Sequence, residues 1–236
     1  MTDLSFVVPA YNESQRIGAT LTAILEAARS TGLEWEVLVT DNASTDATAA
    51  IALAAGARVV PEPFRQIARS RNRGASEATG KYLIFVDADT LVSVPLVRAA
   101  VKALASGKAV GGGSLLKLLG AGPLLRAVVA PWNLISRRMG LAAGSFLFCL
   151  REAWQATGGF DERYFASEEL WFSRALKRWG RARGLPFIIL ADHPVETSAR
   201  RLEGRAIFRF GLQFLVLNLC PWLLRSRRAC FLWYRR

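Results

Sequence analysis

The sequence has few cysteines and histidines and no long uninterrupted apolar run. Its 236 residues include three cysteines, Cys149, Cys220 and Cys230, which are too scattered to favour a disulfide framework or a zinc site. No stretch of about 20 apolar residues occurs, so we expect no conventional membrane-spanning helix. A cationic start followed by an apolar run and a small-residue cleavage site is also missing. We therefore expect no secretory signal and a cytoplasmic location.

Acidic residues are in short supply. The chain has 31 lysines and arginines against 19 aspartates and glutamates, which gives a net charge of +12. In residues 200–236 nine arginines accompany one acid, Glu203, and alternate with Phe, Leu and Trp. This mixture is more typical of a lipid headgroup surface than of a nucleic-acid groove. Residues 205–236 are predicted to be a basic amphipathic helical tail. Its apolar run, residues 208–224, is expected either at a membrane interface or packed on the core or on a second subunit.

The first 90 residues alternate β-rich runs with helical spacing. Strands are predicted over residues 4–9, 35–40, 57–60 and 82–86, and helices over 15–30, from Ser44 or Thr45 onward, and over 66–77. Strands separated by such helices are typical of βαβ units. Residues 1–204 are therefore predicted to form one α/β domain with a mainly parallel, Rossmann-like sheet flanked by helices. Ligands bind such sheets beyond the carboxyl ends of the strands.

The second half is less regular. Residues 111–113, three consecutive glycines, are expected to end a strand, and residues 115–134 to form a flexible or surface-lying excursion on the acceptor side. Strands are predicted over residues 145–150 and 187–190, and a helix over 168–179.

Two acids flank one small residue in Asp87-Ala88-Asp89, directly after a buried strand. Residues i and i+2 of an extended segment project the same way, so both carboxylates reach one point at the sheet edge. Carboxylate oxygens suit Mg²⁺ or Mn²⁺, which also bind substrate phosphates. The alternative is a solvated turn whose acids cap the following helix, and the residues alone leave both interpretations open.

Asp41 also ends a predicted strand, where an acid can accept a hydrogen bond from a ribose hydroxyl or a base N–H. Ser44 and Thr45 are expected to cap the next helix, with Asp46 in its first turn.

Three arginines, Arg69, Arg71 and Arg73, alternate along the helix predicted ahead of the acidic triplet. Alternate residues of a helix cannot all face one way, so at most two are expected to contact a ligand. Guanidinium groups pair well with phosphates and carboxylates. Arg73 is expected to be the solvated one.

Glu168 and Glu169 open another predicted helix, where acids are favourable because of the helix dipole alone. Adjacent side chains point in different directions, so one can cap the helix while the other serves in a cleft as general base for a hydroxyl. His193, the only histidine, follows a predicted strand. It is expected either to be structural or to contact a metal or phosphate at the same sheet edge.

Five segments occur in the order and spacing of family 2 glycosyltransferases, the inverting type with the GT-A fold, which the chain resembles over residues 4–200. They are residues 7–13 (VVPAYNE), 41–46, 68–89, 158–162 and 168–169. The resemblance implies a nucleotide-sugar site lined by one set of residues: Pro9, Ala10, Tyr11, Glu13, Asp41, Arg69, Arg71, Asp87, Ala88 and Asp89.

The same resemblance implies a reaction and a cofactor. One sugar would pass with inversion from a nucleoside-diphosphate sugar to an acceptor hydroxyl, with Mg²⁺ or Mn²⁺ held by Asp89, Asp87 and His193. Glu169 would be the general base, beside Glu168, although the family usually has aspartate at the second position of this pair. The Gln-x-x-Arg-Trp signature of processive synthases is absent, and residues 197–201 (TSARR) resemble a small non-processive subgroup.

The acceptor has no motif of its own. A tail on the inner face of a membrane would favour a lipid-linked or amphiphilic acceptor, whereas a tail packed on protein would favour a homo-oligomer. Two other functions stay open. A binding or scaffold protein would keep the fold without the chemistry, as Glu169 in place of aspartate suggests. A nucleotidyltransferase is disfavoured, since residues 10–13 are neither glycine-rich nor basic.

Overall fold

A single sheet of eight strands organises the described part of the chain, in the order β3-β2-β1-β4-β7-β6-β8-β5. It is seen in a computed structural model that describes residues 2–119, 123–198 and 220–234. The strands are β1 Leu4–Ala10, β2 Trp35–Asp41, β3 Arg58–Pro61, β4 Tyr82–Val86, β5 Thr90–Leu91, β6 Gly111–Leu119, β7 Phe146–Leu150 and β8 Phe187–Ser198.

Helices occupy the connections between these strands. They are α1 Ile17–Arg29, α2 Thr48–Ala54, α3 Ile67–Glu77, α4 Val94–Ala105, α5 Pro123–Met139, α6 Arg151–Thr157 and α7 Glu168–Arg181, followed by the 3-10 helix Pro221–Arg225 and the short helix α8 Phe231–Tyr234. The amphipathic spacing predicted for α1 is confirmed, because its apolar residues Ile17, Leu21 and Ile24 are buried against the sheet.

The predicted parallel sheet is confirmed in the first half of the chain. Strand β1 pairs in parallel with both β2 and β4, and β2 pairs in parallel with β3. All five residues of β4 are buried, as a strand covered on both faces requires. The carboxyl ends of β1, β2 and β4 therefore meet at one edge of the sheet, where the acidic segments follow.

The second half of the sheet is mixed. Strand β7 runs antiparallel between β4 and β6, and β8 is parallel to β6 but antiparallel to the short β5. Pairing of Thr90 with Thr197 brings the carboxyl end of β8 beside the acidic triplet.

Three predictions for the middle of the chain are wrong. Residues 111–113 begin β6 instead of ending a strand. The glycines are needed there because a Cβ on Gly112 would collide with the carbonyl oxygen of Ile188 on the neighbouring strand. Residues 115–119 are the end of β6 and residues 123–134 are most of helix α5, in which Pro131 hides the helical signal. Strand β8 continues well beyond residue 190, as far as Ser198.

The start of α2 also differs from the prediction. Ser44 and Thr45 do not cap it, because their side chains and backbone bind Asn12 on the loop after β1. The helix begins at Thr48, whose backbone N–H donates to the Asp46 carboxylate at 3.0 Å. Partial burial alone would raise the pKa of Asp46, but hydrogen bonds from Thr48 and Ser14 lower it to about 2.

The predicted tail falls partly outside the described residues, including most of the apolar run 208–224. No helix in the described ranges is long and apolar enough to cross a membrane. The last part of the predicted tail, which consists of Pro221–Arg225 and α8, packs on the connection between α6 and α7. There Leu224 and Cys230 join Tyr164 and Ala166 in a small buried cluster apart from the main core. The division at residue 204 stays a prediction.

Candidate functional site

A cleft of about 570 Å³ opens where β1, β2 and β4 end. The predicted residues Pro9, Ala10, Tyr11 and Glu13 line it from the loop after β1. The predicted triplet Asp87-Ala88-Asp89 lines it from the loop after β4. The structure thus brings seven of the ten predicted nucleotide-sugar residues to one cleft, in agreement with the rule that parallel sheets bind ligands at their carboxyl edge.

The predicted carboxylate pair is joined to the α7 acids through Arg71. This guanidinium, only 3% exposed, lies 2.8 Å from Asp87 Oδ1 and 2.5 Å from Glu168 Oε1. It also donates to the carbonyl oxygen of Gly144 at 3.0 Å. Burial alone would lower its pKa, but Asp87, Glu168 and Glu169 raise it. Arg71 therefore stays charged and fixes the acids, and it does not itself line the cleft.

The two glutamates differ in surroundings as predicted for adjacent helical residues. Glu168 is buried and held by Arg71, whereas Glu169 keeps part of its surface exposed. Burial, together with the charge of Glu168, raises the pKa of Glu169 despite the opposing effect of Arg71. Burial raises the pKa of Glu168 as well, so what distinguishes Glu169 within the pair is its access to solvent.

Asp89 sits at the inner corner of the cleft. Its backbone carbonyl accepts a hydrogen bond from the Ser198 N–H at 3.3 Å, and the Ala88 carbonyl accepts one from the Thr20 hydroxyl at 3.0 Å. These bonds tie the triplet to β8 on one side and to α1 on the other. The loop that carries both carboxylates is therefore anchored at its middle and at its end.

Asp41 does not line the cleft, whereas its neighbour Asn42 does. The Asp41 carboxylate accepts a hydrogen bond from the Ser44 N–H at 3.3 Å, closing the turn after β2. Asn42 lines the cleft and binds the carbonyls of Glu62 and Phe64 and the N–H of Gln66. Asn42 is not among the predicted site residues, although its place directly after a strand is a usable signal. A role for Asp41 in nucleotide binding stays a prediction.

The structure places Arg69 outside the cleft. Its side chain is 41% exposed and lies 3.5 Å from both Glu62 and Glu162, beside an outer groove. Arg73 pairs on the surface with Glu77, one helical turn further along α3, as expected for a solvated charge. Neither arginine lines the cleft, and the predicted contact of Arg69 with the donor stays a prediction.

His193 is likewise separate from the acids. It lies on β8 and lines a groove with Thr31, Val94 and Arg98. The β8 residue bonded to Asp89 is Ser198, five residues further along the chain, and none of the acidic triplet lines the groove of His193. Within the described ranges no three His, Cys, Asp or Glu side chains converge as metal ligands. Among the described residues His193 is therefore not grouped with Asp87 and Asp89, and its role as a third metal ligand stays a prediction.

Two further residues that line the cleft, Arg65 and Tyr234, are not among the residues predicted from the sequence. Arg65, ahead of α3, stacks its guanidinium 3.7 Å from the centre of the Tyr11 ring. Tyr234, near the end of the chain, lines the same cleft and accepts a hydrogen bond from Arg65 on its carbonyl oxygen at 2.7 Å.

This architecture is the GT-A glycosyltransferase fold, as comparison with solved structures shows. A mannosyltransferase from Pyrobaculum calidifontis, solved with GDP-mannose and Mn²⁺, superposes with a TM-score of 0.69 at 20% identity, covering 98% of this chain and 66% of the other. TarS from Staphylococcus aureus, residues 1–349 with UDP, superposes with a TM-score of 0.63 at 19% identity, covering 83% and 60%.

The sequence comparisons narrow the class to a family. Residues 5–119 match the family model described as glycosyl transferase family 2. A dolichyl-phosphate beta-glucosyltransferase from Drosophila melanogaster is 33% identical over 106 residues, which is 39% of this chain and 32% of the relative. The sequence of residues 5–119, just under half of the chain, is thus similar to family 2 of the glycosyltransferases, and the predicted resemblance is confirmed. The aligned part of the chain spans about a third of the length of that relative.

Proposed function

We propose that the protein transfers a sugar from a nucleoside-diphosphate sugar to an acceptor hydroxyl, with inversion at the anomeric carbon. The observation that carries this proposal is the continuous arrangement of Asp87, Arg71 and Glu168 with Glu169 beside them. It connects a nucleotide-type cleft at the ends of β1 and β4 to a carboxyl group of raised pKa. The family supports the same reaction class.

The donor would bind in the cleft between the loops after β1 and β4. Nucleotides are bound by the related structures that carry GDP-mannose or UDP. The nucleoside and the diphosphate would lie between the loop of Tyr11 and Glu13 and the opposite wall, Asp87 and Asp89. Two acids beside an anionic group need positive charge between them, which argues for a cation.

The carboxylate side chains of this wall fit Mg²⁺ or Mn²⁺. Asp87 and Asp89 offer hard oxygen ligands on one wall of the cleft, and such ions are commonly held by one or two carboxylates plus substrate phosphates. Asp89 would be the main ligand, because Asp87 is already paired with Arg71. When bound, the ion would neutralise charge on the departing diphosphate.

Glu169 would act as the general base. The acceptor oxygen would form a bond to the anomeric carbon as the bond from that carbon to the diphosphate breaks. The hydroxyl proton would pass to Glu169, and the nucleoside diphosphate would leave with the bonding electrons. Arg71 would hold Glu168 in place. Its positive charge would favour the deprotonated form of the neighbouring Glu169, which is the form that accepts the proton.

Binding of the donor is tested by thermal unfolding with UDP, GDP and their sugar conjugates, with and without Mn²⁺. We expect one nucleotide series to stabilise the protein only when Mn²⁺ is present, by about 2.7 kcal/mol at a hundredfold excess over its Kd. Asp89→Asn should abolish this stabilisation, and Asp192→Asn, an exposed acid of β8 outside the cleft, should keep it. Stabilisation of Asp89→Asn equal to that of wild type would refute the assigned metal ligand.

An amphiphilic acceptor at a membrane surface is the second part of the proposal. Helix α5 exposes Leu134, Ile135 and Met139 together with Arg137 and Arg138, and it contains no acid. Exposed apolar side chains combined with arginines suit an anionic lipid surface. The loop after α5 leads to Gly144, which binds Arg71, so a lipid surface at α5 would lie near the acids.

Membrane contact is tested by co-sedimentation with vesicles that contain anionic lipid. We expect the protein to bind, and the Leu134→Glu, Ile135→Glu double variant to lose most of that binding because charge replaces inserted apolar surface. The matched control is Leu53→Glu on α2, which is 60% exposed but has no arginine beside it on its helix. Equal loss in both variants, or no binding by wild type, would contradict lipid contact through α5.

A further inference from the structure

The last described segment of the chain is built into the wall of the cleft. Leu224 and Cys230 are buried with Tyr164 and Ala166, and the Leu224 carbonyl accepts a hydrogen bond from the Phe165 N–H at 2.7 Å. Residues 220–234 are thereby fixed to the connection that leads into α7. Their position next to the cleft is a consequence of apolar burial and does not depend on a bound ligand.

Arg65 links this segment to the cleft. One of its Nη atoms donates to the carbonyl oxygen of Tyr234 at 2.7 Å, and its guanidinium carbon lies over the Tyr11 ring, 3.7 Å from the ring centre. The Tyr234 ring in turn packs edge-on against Phe165, with ring centres 5.7 Å apart. Arg65 is therefore held from two sides, by an aromatic face of the β1 loop and by the backbone of the C-terminal segment.

The charge around Arg65 is unbalanced. Among the described residues that line the cleft it is the only cationic side chain, and Glu13, Asp87 and Asp89 line the same cleft. A guanidinium has five N–H donors, and the bond to Tyr234 uses one. Its other donors match the oxygens of a phosphate group.

We propose that residues 220–234 position Arg65 to bind the diphosphate of the donor, so that the C-terminal segment is part of the donor site. This inference rests on the proposed function. A guanidinium that is already ordered loses less side-chain freedom when a phosphate binds, which increases affinity. The tail, predicted either to lie at a membrane interface or to pack on protein, thus has a role in nucleotide binding at its end.

The first experiment compares binding of UDP and GDP, each with Mn²⁺, to the full-length protein by calorimetry. For the nucleotide that binds wild type, Arg65→Gln should weaken binding at least about tenfold, as expected for loss of a charge-assisted hydrogen bond. Arg65→Lys should recover part of the loss. For the monophosphate of the same nucleoside, Arg65→Gln should weaken binding by a smaller factor. Arg73→Gln, an exposed arginine of the same region, should bind like wild type.

The second experiment tests the link to the C-terminal segment by a double-mutant cycle. Leu224→Ala should loosen the segment and weaken binding in wild type, with little further loss in the Arg65→Gln background. Leu223→Ala, half-buried in the same cluster, is the second variant if Leu224→Ala does not unfold cooperatively. A variant that merely destabilised the protein would weaken binding equally in both backgrounds.

The outcomes separate the two proposals. If wild type binds one diphosphate and Arg65→Gln binds it equally well, the role of Arg65 is refuted while the proposed function stands. If Arg65→Gln weakens binding but the cycle shows no coupling to Leu224 or Leu223, the role of the segment is refuted. If wild type binds neither diphosphate, both proposals fail.

Discussion

Replacement of Arg71 by methionine is expected to destabilise the protein by about 3–5 kcal/mol, because it leaves the buried carboxylate of Glu168 without its partner. Arg71 and Glu168 are both almost fully buried, and the guanidinium also binds Asp87 and the Gly144 carbonyl. Methionine fills much of the volume but offers no hydrogen-bond donor. The free energy of unfolding, measured by urea titration at pH 7, should show the loss directly.

Acidic conditions should reduce the difference between Arg71→Met and wild type. Burial raises the pKa of Glu168, and Arg71 is the main group that opposes this rise. Without Arg71 the folded state binds a proton more tightly than the unfolded state. The destabilisation should therefore be smallest below the pKa of an unfolded glutamate and grow as pH rises through the higher pKa of the folded state.

Two matched variants identify the cause of this effect. Arg71→Met combined with Glu168→Gln removes the buried charge together with its partner, so it should be clearly more stable than Arg71→Met alone. Arg73→Met, on the exposed side of the same helix, should change stability by less than about 0.5 kcal/mol. A loss of under 1 kcal/mol in Arg71→Met would contradict the view that this ion-pair network is fixed and buried.

The parallel half of the fold was predictable because its signals are local. The runs that form β1, β2 and β4 are apolar, and the intervening helices have buried residues at helical spacing. Once strands and helices alternate, handedness and topology rules bring the ends of the strands together. The acids after β1 and β4 could therefore be assigned to one cleft from the sequence alone.

The errors occur where a contact distant in sequence decides the structure. The three glycines of β6 are signals for a turn, but close approach of neighbouring strands requires them within the sheet. The position of His193 depends on the length and register of β8, which is irregular between the pairs Ser114–Leu190 and Leu116–Val195. Arg65 and Tyr234 are 169 residues apart, so no periodicity relates them.

The sequence and the structure contribute different evidence on the roles of Glu168 and Glu169, the acid pair of α7. Sequence alone indicates that two adjacent helical acids cannot do the same task, but it does not say which acid has which task. In the structure the buried Arg71 pairs directly with Glu168 and Glu169 stays partly exposed, which favours Glu169 as the proposed base. A carboxyl group with increased proton affinity is better suited to accept a proton near neutral pH.

Replacement of Glu169 by glutamine is accordingly expected to lower kcat by about 10²–10⁴-fold, the range for loss of a general base. Donor binding should survive, because glutamine keeps the shape and lies outside the described lining of the cleft. With the acceptor unidentified, the readout is metal-dependent release of the nucleoside diphosphate from the stabilising sugar nucleotide, with water as acceptor. The Kd of the same nucleotide is measured alongside.

The pH dependence of that release separates a base from a structural residue. Because burial and Glu168 raise the pKa of Glu169, the rate of wild type should increase with pH in a range above that of an ordinary glutamate. The increase should disappear in Glu169→Gln and return in Glu169→Asp, whereas Glu162→Gln, on the surface beside Arg69, should leave it unchanged. A Glu169→Gln variant that keeps more than about half the rate with the same pH profile would exclude Glu169 as the base. No turnover by wild type despite tight donor binding would instead favour a protein that uses this fold for binding alone.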